Sequence, residues 1–194
     1  MGSSSANKDT GFTMIELLIA MAVGLIVLGA LSSTFIIQRK TFDAQEQLTE
    51  MVQNARAAMD LMTREIRMAG YSPAGANFNG ITYDTTQLKI QADLNGDGDT
   101  TSGSNEIITY TYDAANDQID RSTGVAGTPK AVAENIESFT FDYLDGTGGS
   151  TTITADIRQV KITIKARTAK TDPSTGQYRT YPLSSVITPI NLAL

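Results

Sequence analysis

The chain has 194 residues, enough for one globular domain and an additional element but too few for two full domains. It contains no cysteine and no histidine, which excludes disulfides, thiolate chemistry, zinc sites with the usual ligands and histidine-based catalytic triads. The net charge of −6 argues against a surface that binds nucleic acid through a general positive field, so we expect no nucleic-acid partner.

The first predicted element is an apolar run of 26 residues, 12–37, which contains a single charge, Glu16. About 20 apolar residues cross a bilayer core as a helix, so this run is long enough to span a membrane. A secretory signal peptide fits less well, because the run is too long and no small-residue cleavage site closes it. The run therefore predicts one transmembrane helix in contact with membrane lipid.

Glu16 is unusual in this context. An ionisable residue inside a transmembrane segment costs on the order of 2–3 kcal/mol on insertion scales, so it usually has a partner and a function. Alternatively, Glu16 lies close enough to the helix end for its carboxylate to reach the membrane interface. The hydropathy pattern alone leaves both possibilities open.

The segment Gly11-Phe12-Thr13-Met14-Ile15-Glu16-Leu17-Leu18 resembles the prepilin processing signature of type IV pilins and of type II secretion pseudopilins. The resemblance implies that residues 1–11 are a leader, that a prepilin peptidase cuts after Gly11, and that the new N-terminal residue, Phe12, is N-methylated. It also implies that Glu16 pairs with the N-terminal amine of a neighbouring subunit during assembly. In a low-dielectric medium such an opposite charge offsets much of the desolvation cost.

Residues 38–70 predict an amphipathic helix that continues the apolar run, since no proline occurs before Pro73. Apolar residues recur at spacings of three and four and form one stripe, which is expected to hold a sheet. The stripe consists of Leu48, Met51, Val52, Ala55, Ala58, Met59, Met62, Ile66 and Ala69. Gly70 is the predicted end of the helix. Residues 53–56, 58–62 and 64–71 resemble PilW-type minor pilins and, more loosely, J-type minor pseudopilins.

Residues 71–194 predict a β-rich head. Candidate strands are 80–83, 87–92, 106–112, 118–121, 136–143 and 160–166, with a weaker one near 185–188. Apolar and polar residues alternate in the runs 139–143 and 160–166, which favours an antiparallel sheet with one face on the helix. The predicted fold class is therefore α+β, a long N-terminal helix packed on an antiparallel β-sheet head, as in the type IV pilin fold that the resemblance implies.

One acidic loop in the head has the opening spacing of a calcium loop. Side-chain oxygens alternate along residues 93–99, with Gly98 at the sixth position, and come from Asp93, Asn95, Asp97 and Asp99. Position twelve is Ser104 instead of glutamate, Glu106 follows two residues later, and no entering helix is predicted. The loop is therefore either a Ca²⁺ site, with Glu106 as a further ligand, or a solvated hairpin turn rich in Asn-Gly and Asp-Gly.

The resemblance implies a structural subunit, not an enzyme. No serine or aspartate has a histidine or cysteine partner, and no phosphate loop is present. We expect a minor type IV pilin in the bacterial inner membrane with its head in the periplasm, which is later built into a pilus. Its expected partners are the prepilin peptidase, an inner-membrane assembly platform and other pilins. The alternatives are a minor pseudopilin of type II secretion and a filament-tip adhesin or other binding module.

Overall fold

The computed structural model describes residues 11–101, 105–173 and 175–192. The chain divides into two compact units, Met1–Gln45 and Glu46–Leu194. One α-helix, α1, extends from Met14 to Arg67, so it begins in the first unit and ends in the second. The predicted continuity of the apolar run and the amphipathic segment is thereby confirmed. The predicted limits of leader, membrane segment, amphipathic segment and head (1–11, 12–37, 38–70 and 71–194) stay predictions.

In the first unit α1 is apolar and exposed. It is long and apolar enough to cross a membrane, judged by length and composition, and none of its most apolar stretch is buried by other parts of the described chain. Large side chains such as Ile26 and Phe35 expose more than half of their surface. Such a surface requires an apolar environment that the described part of the chain does not provide.

The end of α1 is fixed by a close approach between two glycines. After Arg67 the chain tightens into a turn in which Met68 and Ala69 donate backbone hydrogen bonds to the carbonyl oxygens three residues earlier. Gly70 then adopts a φ of +76°, which ordinary side chains rarely tolerate. A Cβ on Gly80 would lie 2.3 Å from the backbone nitrogen of Gly70, so this contact requires glycine.

The second unit contains two antiparallel sheets. The first has five strands in sequential order: β1 (Ile81–Thr82), β2 (Gln87–Gln91), β3 (Ile107–Asp113), β4 (Gln118–Thr123) and β5 (Lys130–Ala133). The second has three: β6 (Ile136–Leu144), β7 (Gln159–Arg167) and β8 (Thr180–Ile187). Two short 3₁₀-helices, Thr154–Asp156 and Ile190–Leu192, complete the described elements.

The α+β fold class is confirmed, with two sheets in the head. Strand β5 was not predicted from the sequence, and β8 begins at Thr180, five residues before the predicted start of that strand. Pro182 lies within β8, which is an edge strand, and an edge is where a strand tolerates proline.

The helix stripe and both sheets form one core in the second unit. The α1 residues that are buried there are Met51, Ala55, Ala58, Met59, Met62 and Ile66. They cluster with strand residues of both sheets, including Leu88, Ile119, Ile162 and Ile164. Every predicted stripe residue is buried or packs against this core, Leu48 and Val52 being partly exposed. The amphipathic period therefore predicted the packing face of the helix correctly.

A charged pair lies at the edge of this core. Glu65 on α1 accepts hydrogen bonds from Arg121 on β4, with 2.8 Å from Nη2 to Oε1. The hydroxyl of Tyr110 on β3, a fully buried side chain, donates to the other carboxylate oxygen, Oε2. Burial, and then the hydrogen bond to Glu65, raise the pKa of Tyr110 well above its usual range, so the phenol stays protonated. The three side chains tie the helix to the five-stranded sheet.

Candidate processing and assembly site

The predicted cleavage site lies just outside the helix. Gly11, Phe12 and Thr13 precede α1, and all three are exposed. A Cβ added to Gly11 would have no heavy atom within 4 Å. Folding therefore does not require glycine at this position. The remainder of the predicted leader, residues 1–10, lies outside the described residues.

Glu16 forms a capping box with Thr13. The Thr13 hydroxyl accepts a hydrogen bond from the Glu16 backbone N–H at 3.3 Å. In return the Glu16 carboxylate accepts the Thr13 backbone N–H at 2.9 Å and its hydroxyl at 2.8 Å. This exchange satisfies the backbone N–H groups of Thr13 and Glu16, which have no backbone partner at the start of the helix.

The sequence reasoning missed the role of Thr13, although the spacing Thr-x-x-Glu at a helix start is its signature. Both bonds that the side chain of Glu16 accepts from Thr13 end on Oε2. The other oxygen, Oε1, is therefore free of the cap and can accept a further donor. The cap also fixes the carboxylate beside Thr13, the residue that follows Phe12. The predicted roles of Gly11, Phe12 and Glu16 stay predictions.

The acidic loop brings its five candidate residues into one small region. The buried Asp93 carboxylate accepts backbone N–H groups of Gly96 at 2.7 Å and Gly98 at 3.1 Å. Glu106, also buried, accepts the N–H groups of Leu94 and Asn95, both at 3.1 Å. Both carboxylates thus hold the loop closed through its backbone.

The exposed half of the loop is a series of turns closed by side chains. Asn95 accepts the backbone N–H of Asp97 at 2.8 Å, and Asp97 accepts that of Asp99 at 2.9 Å. The Thr101 hydroxyl and then its N–H lower the pKa of Asp99, so this carboxylate stays ionised at neutral pH. Such bonds between a side chain and the backbone two residues on are typical of Asx-turns.

Among residues 11–101, 105–173 and 175–192, no group of three or more Asp, Glu, His or Cys side chains is placed to hold a metal ion. Ser104, at position twelve of the calcium spacing, lies outside these ranges. The Asp93, Asp97 and Asp99 carboxylates accept backbone N–H groups in the arrangement of a turn. Calcium binding stays a prediction.

Two family models match the sequence. The first, described as prepilin peptidase-dependent protein B, matches residues 44–185, well over half of the chain. The chain belongs to this family. The second, the prokaryotic N-terminal methylation motif, matches residues 6–32 and so includes the Gly11–Phe12 bond and Glu16. This family member is accordingly a type IV pilin-like protein whose N-terminal segment has the pattern of a prepilin.

Among solved structures, the chain is similar to a type IV-like pilin from Thermus thermophilus. The two share 13% sequence identity with a TM-score of 0.49, and the alignment covers 74% of this chain and 98% of the other. No curated protein matches the sequence. The family assignment rests on the match over residues 44–185.

Proposed function

We propose that this member of the prepilin peptidase-dependent family is a minor type IV pilin. The apolar part of α1 anchors it in the bacterial inner membrane, with the head in the periplasm. The prepilin peptidase cuts after Gly11, and Phe12 is then N-methylated. An inner-membrane assembly platform builds the mature chain into a pilus together with other pilins, and the chain helps to initiate the filament.

The position of the methylation motif in the fold is the main support for this proposal. The motif lies at the start of a helix whose apolar stretch is covered by no other described part of the chain. Lipid can cover such a surface in the membrane, and the helices of neighbouring subunits can cover it in a filament. The same helix surface can therefore be covered both in the membrane and in the filament, as the proposal requires.

The proposal gives Glu16 a role between subunits. Cleavage converts Phe12 into a terminal amine, a cation that is costly to bury without a partner. The Glu16 oxygen Oε1, which takes no part in the cap, can accept that amine from a neighbouring chain. The capping box holds the carboxylate in one place before the neighbour arrives, which reduces the ordering cost of pairing.

Glu16→Ala tests this role. We expect the variant to be inserted and cut almost normally, because loss of a charge makes insertion easier, but to be poorly recovered in sheared filaments. Thr13→Val is the matched control, since it removes the hydroxyl of the capping box and keeps the carboxylate. Equal losses for both variants would assign Glu16 a capping role alone, and normal incorporation of Glu16→Ala would refute the pairing.

A role in a type II secretion pseudopilus, or as a tip adhesin, predicts a different phenotype. Deletion of a minor pilin that initiates filaments removes pili and leaves protein secretion unchanged. Deletion of a pseudopilin does the reverse. Deletion of a tip adhesin leaves pilus number unchanged and abolishes attachment. Pilus counts, secreted protein and attachment measured on one deletion strain therefore separate the three roles.

A further inference from the structure

A small cavity in the head is lined by aromatic and acidic side chains. It measures about 240 Å³, and its walls come from the β1–β2 connection, from β6 and from residues 150–152. Three of the residues that line it are aromatic, two are aspartates, and the others are threonines and a serine. Within the described part of the chain, no lysine or arginine lines this cavity. It therefore combines electron-rich rings with negative charge.

The three aromatic rings form one cluster with tilted planes. Alternation along β6 places Phe141 and Tyr143 on the same face of the strand, with ring centroids 5.8 Å apart and planes at 69°. Tyr83, in the β1–β2 connection, lies 5.4 Å from Tyr143 with its ring tilted by 58°. Tyr143 is buried, whereas Tyr83 and Phe141 stay partly exposed. Such a cluster can present rings to a bound group from more than one direction.

The Asp84 carboxylate adds a fixed negative charge to the cavity wall. Its Oδ1 accepts the backbone N–H and the hydroxyl of Thr86, both at 2.8 Å, and its Oδ2 accepts Nε2 of Gln87 at 2.9 Å. The bonds from Thr86 lower the pKa of Asp84 to about 2, so this carboxylate is ionised at neutral pH. Asp142 also lines the cavity, but Lys161 lies opposite it on β7 and offsets part of its charge.

We propose that this cavity binds a quaternary ammonium group. Aromatic rings attract a cation through their electron-rich faces, and aromatic cages recognise choline and methylated lysine in this way. Pockets for drug-sized ligands measure about 300–1,000 Å³, so this smaller cavity suits a single ammonium head group. The site lies wholly in the head and needs neither cleavage nor methylation, so it goes beyond the proposed pilin role.

The arrangement favours a quaternary ammonium over a lysine side chain or a neutral sugar. A primary ammonium has three N–H donors that need acceptors when water is removed. Asp84 already accepts hydrogen bonds from Thr86 and Gln87. A quaternary ammonium donates no hydrogen bond, so Asp84 can attract it through charge alone. A neutral sugar would gain nothing from that charge.

Fluorine NMR of the full-length chain, labelled with fluorotyrosine in an uncharged detergent, tests the site residue by residue. The chain has seven tyrosines, and Tyr83→Phe and Tyr143→Phe identify the two resonances that belong to the cavity. Choline should shift these two resonances and leave that of Tyr110, which does not line the cavity, unchanged. The uncharged alcohol in which carbon replaces the choline nitrogen should bind roughly tenfold more weakly.

Asp84→Asn tests the charge. It keeps an oxygen acceptor for the turn, and it should weaken choline binding roughly fivefold. Asp145→Asn is the matched control. Oδ1 of Asp145 accepts the backbone N–H and the hydroxyl of Thr147, both at 2.8 Å, as Asp84 does from Thr86, but Asp145 does not line the cavity. This control should change the affinity by less than about twofold, because solvent and salt screen a more distant charge.

Two substitutions of Tyr83 test the ring. Tyr83→Leu should weaken choline binding roughly fivefold, whereas Tyr83→Phe should keep it, since the ring and not the hydroxyl attracts the cation. The Tyr143 resonance reports binding in both variants. The resonance of the buried Tyr110 shows in the same spectrum whether the head keeps its fold.

Phosphocholine and trimethyl-lysine carry the same ammonium group from a lipid and from a protein, so the tighter binder of the two identifies the source of the ligand. Equal affinity for choline and its uncharged analogue, or no shift of the Tyr83 and Tyr143 resonances, would refute the proposal. Tighter binding of unmodified lysine or of galactose would refute it as well, as would equal losses in Asp84→Asn and Asp145→Asn. These outcomes do not bear on processing, so the pilin role is tested separately.

Discussion

The ion pair between α1 and the five-stranded sheet gives the most quantitative prediction about stability. Glu65→Ala leaves the Arg121 guanidinium and the Tyr110 hydroxyl without their shared acceptor. The side chain of Arg121 is 24% exposed and that of Glu65 is 14% exposed. Removal of one partner from a fully buried pair costs about 3–5 kcal/mol. Because Arg121 keeps contact with water, we expect a loss of about 2–3 kcal/mol in the free energy of unfolding.

Urea unfolding of a fragment from Arg39 onward measures this loss without the apolar run. The matched control is Glu137→Ala, which breaks the exposed pair between Lys165 and Glu137, 2.7 Å long with both side chains more than 40% exposed. We expect the control to lose no more than about 0.5 kcal/mol. Equal losses of unfolding free energy in Glu65→Ala and Glu137→Ala would refute the inference that the more buried pair is the more stabilising one. Glu65→Leu combined with Arg121→Met and Tyr110→Phe should recover most of the stability, because neither a charge nor the Tyr110 hydroxyl is then left buried without a partner.

Three further predictions concern the head. Hydrogen bonds from the backbone and hydroxyl of Thr86 lower the pKa of Asp84 to about 2, below its value of about 3.9 in the unfolded chain. The ionised Asp84 carboxylate therefore stabilises the folded chain above pH 4, and this stabilisation is lost as the pH falls toward 2. Asp84→Ala should therefore flatten the fall in urea midpoint between pH 4 and pH 2, and an unchanged slope would contradict this. If the acidic loop binds calcium, a hundredfold excess over the dissociation constant should stabilise the fragment by roughly 2.7 kcal/mol, with magnesium doing less. Asp97→Ala should abolish that gain, and equal melting temperatures in EDTA, calcium and magnesium would leave the loop a turn. Gly80→Ala should lower the free energy of unfolding, measured by thermal unfolding, by about 1–3 kcal/mol, because its Cβ would overlap the backbone at the end of α1. An unchanged free energy of unfolding would contradict that contact.

Local pattern predicted most of the elements but not their arrangement. Alternation in residues 160–166 predicted β7, and the helical period predicted the buried face of α1. The short strand β5 was not predicted because its sequence, Lys130-Ala131-Val132-Ala133, shows little alternation of apolar and polar residues and has few residues that favour strands. Division of the head into two sheets depends on strand partners, which the pattern of a single strand does not specify.

The candidate site shows the same limit. The N-terminal motif is contiguous in sequence, so its residues could be recognised directly. The cap by Thr13 was also readable, since its partner Glu16 is only three residues away. By contrast, Glu65 and Arg121 are 56 residues apart, and only the folded chain shows that they meet.

The central claim is that the chain is processed as a prepilin before it enters a filament. Intact mass and N-terminal sequencing of the chain from sheared filaments test this most directly. We expect a protein that begins at N-methylated Phe12, whereas cells without the prepilin peptidase should contain only the form with residues 1–11. A bulky residue at Gly11 should also accumulate this precursor in the membrane, although the fold has room for it. Filaments that contain the chain with residues 1–11 still attached would contradict the account.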